Sequence, residues 1–282
     1  MKIKYDELSL KISKLTTQHY STSFSLGILL LSKEIKTAIY SIYGYVRLAD
    51  EIVDSFQNFE RDALLQRFRS QTKEALNEKI SLNPILNSFQ ATIYQYDIDR
   101  NLIEAFLESM EMDLQTIDYD SSLYNEYIYG SAEVVGLMCL QVFVGGNKIK
   151  FDELKPFAMK LGSAFQKVNF LRDINDDFEI LGRSYFPGLN ILNFSKEDKN
   201  KIENDIEEEF KTSLAGIQKL PKSSKLGVYL AYQYYYSLFK KIKTIPAKEI
   251  LRSRVRISNR KKISIMIQSF LQYKISFYKS LK

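Results

Sequence analysis

Apolar residues recur at intervals of three and four along most of the chain, the period of helices that bury one face. The clearest case runs from about Glu34 to Ser55, where Ile35, Ile39, Ile42, Tyr43 and Val46 build a helix that is apolar nearly all round. The same period predicts helices over about 60–78, 83–95, 99–116, 121–144, 151–181, 196–219, 223–243 and 258–278. Breaks fall at Asn83-Pro84, Gly145-Gly146, Gly182 to Pro187-Gly188, Pro221 and Pro246. No stretch alternates long enough for a strand, and no linker or short repeat divides the chain. The expectation is one all-α domain over residues 1–282.

Two of these helices carry acid where they should be apolar. In the first, Asp50 and Asp54 are four residues apart and stack on one face, with Arg47 one turn earlier. Two carboxylates about 5.5 Å apart repel by roughly 3 kcal/mol at an effective dielectric of 20. A divalent cation removes that cost, and hard ions take oxygen ligands from one or two carboxylates and from substrate phosphates. The pattern recurs roughly 120 residues later, where Gln166, Asn169, Asp173 and Asp177 step along one face of a greasy helix beside Arg172. One such pair is commonplace, but two on largely buried helices favour metal-diphosphate chemistry over a structural salt-bridge network.

Composition narrows the classes without changing that picture. The 40 Lys and Arg against 34 Asp and Glu leave +6, a modest excess that suits a lysine-rich surface or an anionic partner. The basic run from Arg252 to Lys262 could attract nucleic acid, but two acidic stripes would repel it, so no nucleic-acid partner is expected. One cysteine, Cys139, excludes an internal disulfide and is expected to be a buried structural thiol. One histidine, His19, argues against histidine metal sites and Ser-His-Asp chemistry. The amino terminus has no signal-peptide core, and apolar runs fall short of the roughly 20 residues that span a bilayer. A cytoplasmic protein follows, with peripheral membrane contact compatible with it.

The two acidic stretches, and the phrases around them, resemble the trans-prenyl head-to-head synthases: squalene, dehydrosqualene and phytoene synthases. The first stretch, led by Tyr43 and Arg47, is similar to their first aspartate-rich motif. Asn169-Phe-Leu-Arg-Asp173-Ile-Asn-Asp-Asp177 is similar to the second, and Gly182-Arg-Ser-Tyr-Phe-Pro187 to the phrase that follows it. Tyr20-Ser-Thr-Ser-Phe24, Tyr127 to Met138 and the basic phrase Arg254 to Lys262 also match, over about residues 16 to 265. Val135-Gly-Leu-Met138 and Ser109-Met-Glu-Met-Asp113 lean towards phytoene synthase. Glu133 departs from the pattern, where a small residue is expected, and would perturb helix packing or bring another carboxylate near the cavity.

The resemblance implies an isoprenoid synthase helical bundle around a central cavity. It implies Mg²⁺, with Mn²⁺ as a substitute, held by Asp50, Asp54, Asn169, Asp173 and Asp177, and no NADPH. Its substrates would be prenyl diphosphates. Two geranylgeranyl diphosphates would give phytoene through a cyclopropylcarbinyl diphosphate; the alternative is squalene or dehydrosqualene from two farnesyl diphosphates. Tyr43 and Arg47 join the aspartates as catalytic residues, and Ser21, Ser23, Arg47, Arg172 and Arg260 would meet phosphate. Phe24, Tyr43, Tyr127, Phe165 and Tyr234 would line a dry wall, Gln166 lies on the polar stripe, and Ala132 and Gly136 would leave room for the chains. The tail is expected to run back along the first long helix towards Tyr40, about 15 Å from Asp50 at 1.5 Å per residue.

Overall fold

The computed structural model describes residues 2–115, 119–179, 183–189, 191–252 and 254–279, apart from the side chains of residues 176, 178, 179, 192 and 272–279. The described residues form helices and no strand. In chain order they are α1 (Lys2–Tyr20), α2 (Thr22–Leu29), α3 (Lys33–Asp54), α4 (Arg61–Glu78), α5 (Pro84–Tyr96), α6 (Arg100–Met112) and α7 (Ser121–Ile128). A π-helical turn (Tyr129–Glu133) leads into α8 (Val134–Phe143). Then come α9 (Lys148–Glu179), a short 3₁₀ turn (Ile191–Asn193), α10 (Lys196–Lys219), α11 (Lys222–Lys243), α12 (Ala247–Ile250) and α13 (Asn259–Lys279).

Most boundaries fall within a few residues of those the apolar period predicts. Side chains fix several of them: Asn83 caps α5 ahead of Pro84, Asp120 caps α7, and Ser195 and Asp198 form a capping box on α10. Three differences have physical causes. Helix α1 escapes the apolar pattern because the residues it buries are Ser9, Ser13 and Thr17, a stripe of small polar side chains. They are satisfied inside: Ser13 Oγ lies 2.7 Å from Ser88 Oγ, and Asn87 donates to Ser9 Oγ at 3.1 Å. Small residues let α1 lie close on α3, where a Cβ at Gly44 would stand 3.1 Å from that of Ser13. Helix α2 is apolar without period, and the span 121–144, predicted as one helix, is interrupted by the π turn.

One continuous core joins α3 to nearly every other helix. Tyr45, wholly buried on α3, stacks on Phe89 of α5 at 3.7 Å and beside Phe68 of α4 at 5.1 Å. Helix α9 packs against α8, the π turn, α10 and α11. Among the described residues no helix is long and apolar enough to cross a membrane.

Candidate active site

Helices α2, α3, α8, α9, α10 and α11 and the π turn enclose a cavity of about 540 Å³. Its two ends differ. Ile28, Leu31, Ile39, Leu154, Ile217 and Leu220, all buried, close the apolar end. At the other end stand Asp50 and Asp54 of α3, Asp173 and Asp177 of α9, Asp113 just after α6, and four arginines: Arg47, Arg172, Arg183 and Arg254. Asp54 and Arg254 are about two-fifths exposed, so the charged end is the one that reaches solvent. Along α3 the distance from Asp50 to Ile39 is about 16 Å.

The carboxylates are not equivalent. Burial, and then the neighbouring Asp54, push the Asp50 carboxyl up to about 7. The nearest arginine nitrogen to it, on Arg47, is 3.8 Å away, because Arg47 turns to Glu51 and lies 4.3 Å over the Tyr20 ring. Asp54 accepts a 2.9 Å bond from Arg183. Arg183 also lies 3.4 Å from the Asp113 carboxylate and donates to the Asp113 carbonyl. Asp113 accepts from the Tyr127 hydroxyl at 2.9 Å and from Tyr185 at 3.2 Å, yet burial still raises it to about 6. Asp173 is held by Arg172 at 2.8 Å and Arg254 at 2.7 Å. Burial, Asp173 and Asp54 push Asp177 up to about 7.

Such a cluster calls for positive charge. Among the described residues no three His, Cys, Asp or Glu side chains converge on one metal-sized point. The donors stand instead on two walls, all oxygen, as suits hard ions that take part of their shell from a bound phosphate. Asn169 Oδ1 lines the same wall, buried without a hydrogen-bond partner, an acceptor awaiting a cation or a donor. The residues present therefore fit magnesium-type ions.

A family model described as squalene/phytoene synthase matches residues 17–198. The chain belongs to that family. It is 30% identical over 173 residues to phytoene synthase 1, chloroplastic, of Solanum lycopersicum, covering 60% of this chain and 41% of that protein. It is 25% identical over 194 residues to 4,4'-diapophytoene synthase of Staphylococcus haemolyticus, covering 66% and 65%. A crystal structure of a dehydrosqualene synthase superposes with a TM-score of 0.82 at 17% identity, covering 97% of this chain and 99% of that one. The fold is thus the isoprenoid synthase helical fold. The matches span about two-fifths to two-thirds of the length of these two relatives.

Most of the family-motif residues reach the cavity wall: Ser21, Phe24, Tyr43, Arg47, Asp50, Asp54, Tyr127, Ala132, Gly136, Phe165, Gln166, Asn169, Arg172, Asp173 and Asp177. Ser23, Tyr234 and Arg260 do not. Tyr234 turns to the outer side of α11, where its hydroxyl donates to the Lys262 carbonyl at 2.9 Å and its ring joins Leu230 and Ile265. Its neighbour Tyr235 faces the cavity, stacked on Phe165 at 3.9 Å. Arg260 is exposed in the first turn of α13, and Arg254 reaches the acidic end in its place. Tyr40 is buried elsewhere in the core, so Ile39, one residue earlier, is what α3 contributes to the closed end. Cys139, expected to be a buried structural thiol, lines the cavity, where burial pushes its thiol up to about 12. Glu133 faces away from the chamber, towards Lys160, Glu209 and Lys167. Gly182 lies outside the described residues.

Asp113, Arg183 and Tyr185 were not among the predicted site residues. Their signal lay in the family phrases they belong to, but nothing in local spacing shows that residues 54, 113 and 183 meet. The π turn is the other surprise: it brings Ser131 and Ala132 to the wall beside Gly162, where a Cβ would sit 2.7 Å from the Ala132 carbonyl. Wide turns of this kind concentrate at functional sites.

Proposed function

We propose that this chain joins two prenyl diphosphates head to head, that both are the twenty-carbon geranylgeranyl diphosphate, and that the product is phytoene. The observation that carries the proposal is the joining of an acid- and arginine-lined end to a closed apolar chamber. Asp50, Asp54, Asn169, Asp173 and Asp177 would hold Mg²⁺, or Mn²⁺ in its place, and a bound ion supplies positive charge to a departing diphosphate. Ser21 caps α2, so a phosphate beside it meets the positive end of that helix. Arg47 and Arg172 add charge-assisted hydrogen bonds to phosphate oxygens. Loss of the first diphosphate leaves an allylic cation, which the second substrate's double bond captures, with loss of one proton as the ring closes, to give a cyclopropylcarbinyl diphosphate. Loss of the second diphosphate, rearrangement and loss of a second proton complete phytoene.

Between the two ends Phe24 sits 5.1 Å from Tyr43 and 5.9 Å from Tyr235, with Phe165 beside them. Such rings stabilise a cation by roughly 0.5–2 kcal/mol each. Burial raises the Tyr43 and Tyr235 hydroxyls, so both stay neutral and offer no anion to trap the cation. With no hydride donor, the final cation loses a proton, and a central double bond forms; we assign no role to NADPH.

A second reading uses two farnesyl diphosphates and is favoured by the similarity to a protein named 4,4'-diapophytoene synthase. Parallel reactions with each diphosphate and Mg²⁺, with and without NADPH, followed by mass analysis of the hexane extract, decide between them. A forty-carbon hydrocarbon formed without NADPH is expected. A thirty-carbon product formed preferentially supports the second reading, and no hydrocarbon from folded protein overturns both.

A further inference from the structure

The charge of this chain is unevenly distributed. Residues 250–282 contain nine Lys and Arg and no Asp or Glu, whereas the preceding residues hold 31 Lys and Arg against 34 Asp and Glu. The net +6 thus belongs to the carboxy-terminal segment, and the remainder is slightly negative. Arg252, Arg254 and Arg256 lead into α13, and Arg260, Lys261 and Lys262 fill its first turn.

Helix α13 carries two apolar faces. One, with Ile265 and Met266, seats it on Leu230 and Tyr234 of α11 beside Leu26 of α2 and Leu30 at its C-terminal end. The other follows the i, i+4, i+8 spacing of a single helical face: Ile263, Ile267 and Leu271 are 50%, 54% and 53% exposed. Three large aliphatic side chains in register on one outer face are unusual for a helix that a water-facing position would leave polar. The acidic end of the cavity lies close by. Arg254 pairs with Asp173, and the Lys262 ammonium is lowered by burial and by the nearby Arg172 guanidinium.

We propose that the outer face of α13 docks on an anionic phospholipid bilayer, with Ile263, Ile267 and Leu271 entering the acyl boundary and the basic residues meeting lipid phosphates. A helix that is apolar on one side and cationic at its start binds in the plane of an interface in this way, drawn by buried apolar area together with attraction to acidic lipid. The charge complementarity selects this occupant. A second copy of the chain would set the exposed Arg252, Arg256, Arg260 and Lys261 against like charges, and a neutral protein surface would leave them unanswered. Docking there places the charged end of the cavity at the membrane surface, where a substrate with a long apolar tail and a polar head resides.

The test uses the full-length protein and sedimentation with vesicles, independent of turnover, so its failure is distinguishable from failure of the proposed reaction. Vesicles of phosphatidylcholine with one-third phosphatidylglycerol should bring the protein down, and pure phosphatidylcholine should bind it at least about tenfold more weakly. Arg256→Gln and Lys261→Gln should each weaken binding about fivefold, the fold-change that about 1 kcal/mol per charge gives. Ile263→Ser with Ile267→Ser should weaken it tenfold or more, with the thermal midpoint of unfolding unchanged. Equal binding to neutral and acidic vesicles, no sedimentation with either, or full binding by the serine variant overturns the proposal. So does binding of RNA or duplex DNA that the serine variant retains and vesicles do not compete, or a dimer in solution that the serine variant abolishes.

Discussion

Helices α3 and α9 carry the same device, two aspartates four residues apart, and the structure treats them in opposite order. On α3 the first aspartate, Asp50, has no arginine nearer than the 3.8 Å of Arg47 and burial raises it to about 7, while the second, Asp54, is bonded to Arg183. On α9 the first, Asp173, is clamped by Arg172 and Arg254, while the second, Asp177, rises to about 7. Each helix therefore offers one carboxylate bonded to arginine and one whose pKa burial raises. Spacing along a helix dictates that two carboxylates share a face; it does not dictate which of them an arginine meets. That is decided by arginines arriving from residues 183 and 254, far along the chain.

The largest expected effect tests whether the two helices act together. EDTA should abolish turnover and Mg²⁺ should restore it. Asp50→Asn and Asp177→Asn should each lower kcat by at least about a hundredfold, roughly 2.7 kcal/mol of transition-state stabilisation. Full activity in one variant, with the other dead, would break the symmetry between α3 and α9.

The clamping arginines should differ in stability. Arg183 is 7% exposed and its partner Asp113 5%, so Arg183→Gln strands a buried carboxylate and should cost roughly 3 kcal/mol in urea unfolding. Arg254 is about two-fifths exposed, and Arg254→Gln should cost less than about 1 kcal/mol. Equal costs would show that burial does not distinguish the two clamps.

A further effect should appear with pH in EDTA. A carboxyl whose folded pKa is raised adds stability below its unfolded pKa, and that stability is lost as pH rises through the folded value. For Asp50 the loss falls between about 4 and about 7. Asp50→Asn removes the titration, so the variant should gain on the wild-type thermal midpoint at pH 8 and gain little at pH 5. A constant difference across that range would mean Asp50 is ionised throughout.

The smallest effect concerns the closed end. Ile39→Trp fills space about 16 Å from Asp50 and should shift preference towards the shorter diphosphate, while Tyr40→Trp should change stability rather than preference. Competition between the two diphosphates, read as a product ratio, measures it.

The boundaries of α3, α10 and α11 were legible because the apolar period is regular there, with a capping box at Ser195 opening α10 and Pro221 breaking the chain ahead of α11. Helix α1 was not, because a stripe of Ser9, Ser13 and Thr17 buries by hydrogen bonding and closeness rather than by hydrophobicity. At the site, residues on helical repeats were legible: Asp50 with Asp54, and Gln166 through Asp177. Tyr235 was confused with Tyr234 because α11 carries a run of tyrosines at 234–236, and a shift of one residue turns a side chain by about 100°.

The sequence by itself determined an all-α chain, two acidic stripes on greasy helices, and the family, since these depend on local period and on phrases of contiguous residues. Only the tertiary structure decided which arginine meets which aspartate, that Asp113 and Tyr185 belong to the site, and that Ile39 rather than Tyr40 reaches the closed end. Those are matters of distance between residues 54, 113 and 183, and of rotation about helix axes, and both are set by how the helices pack.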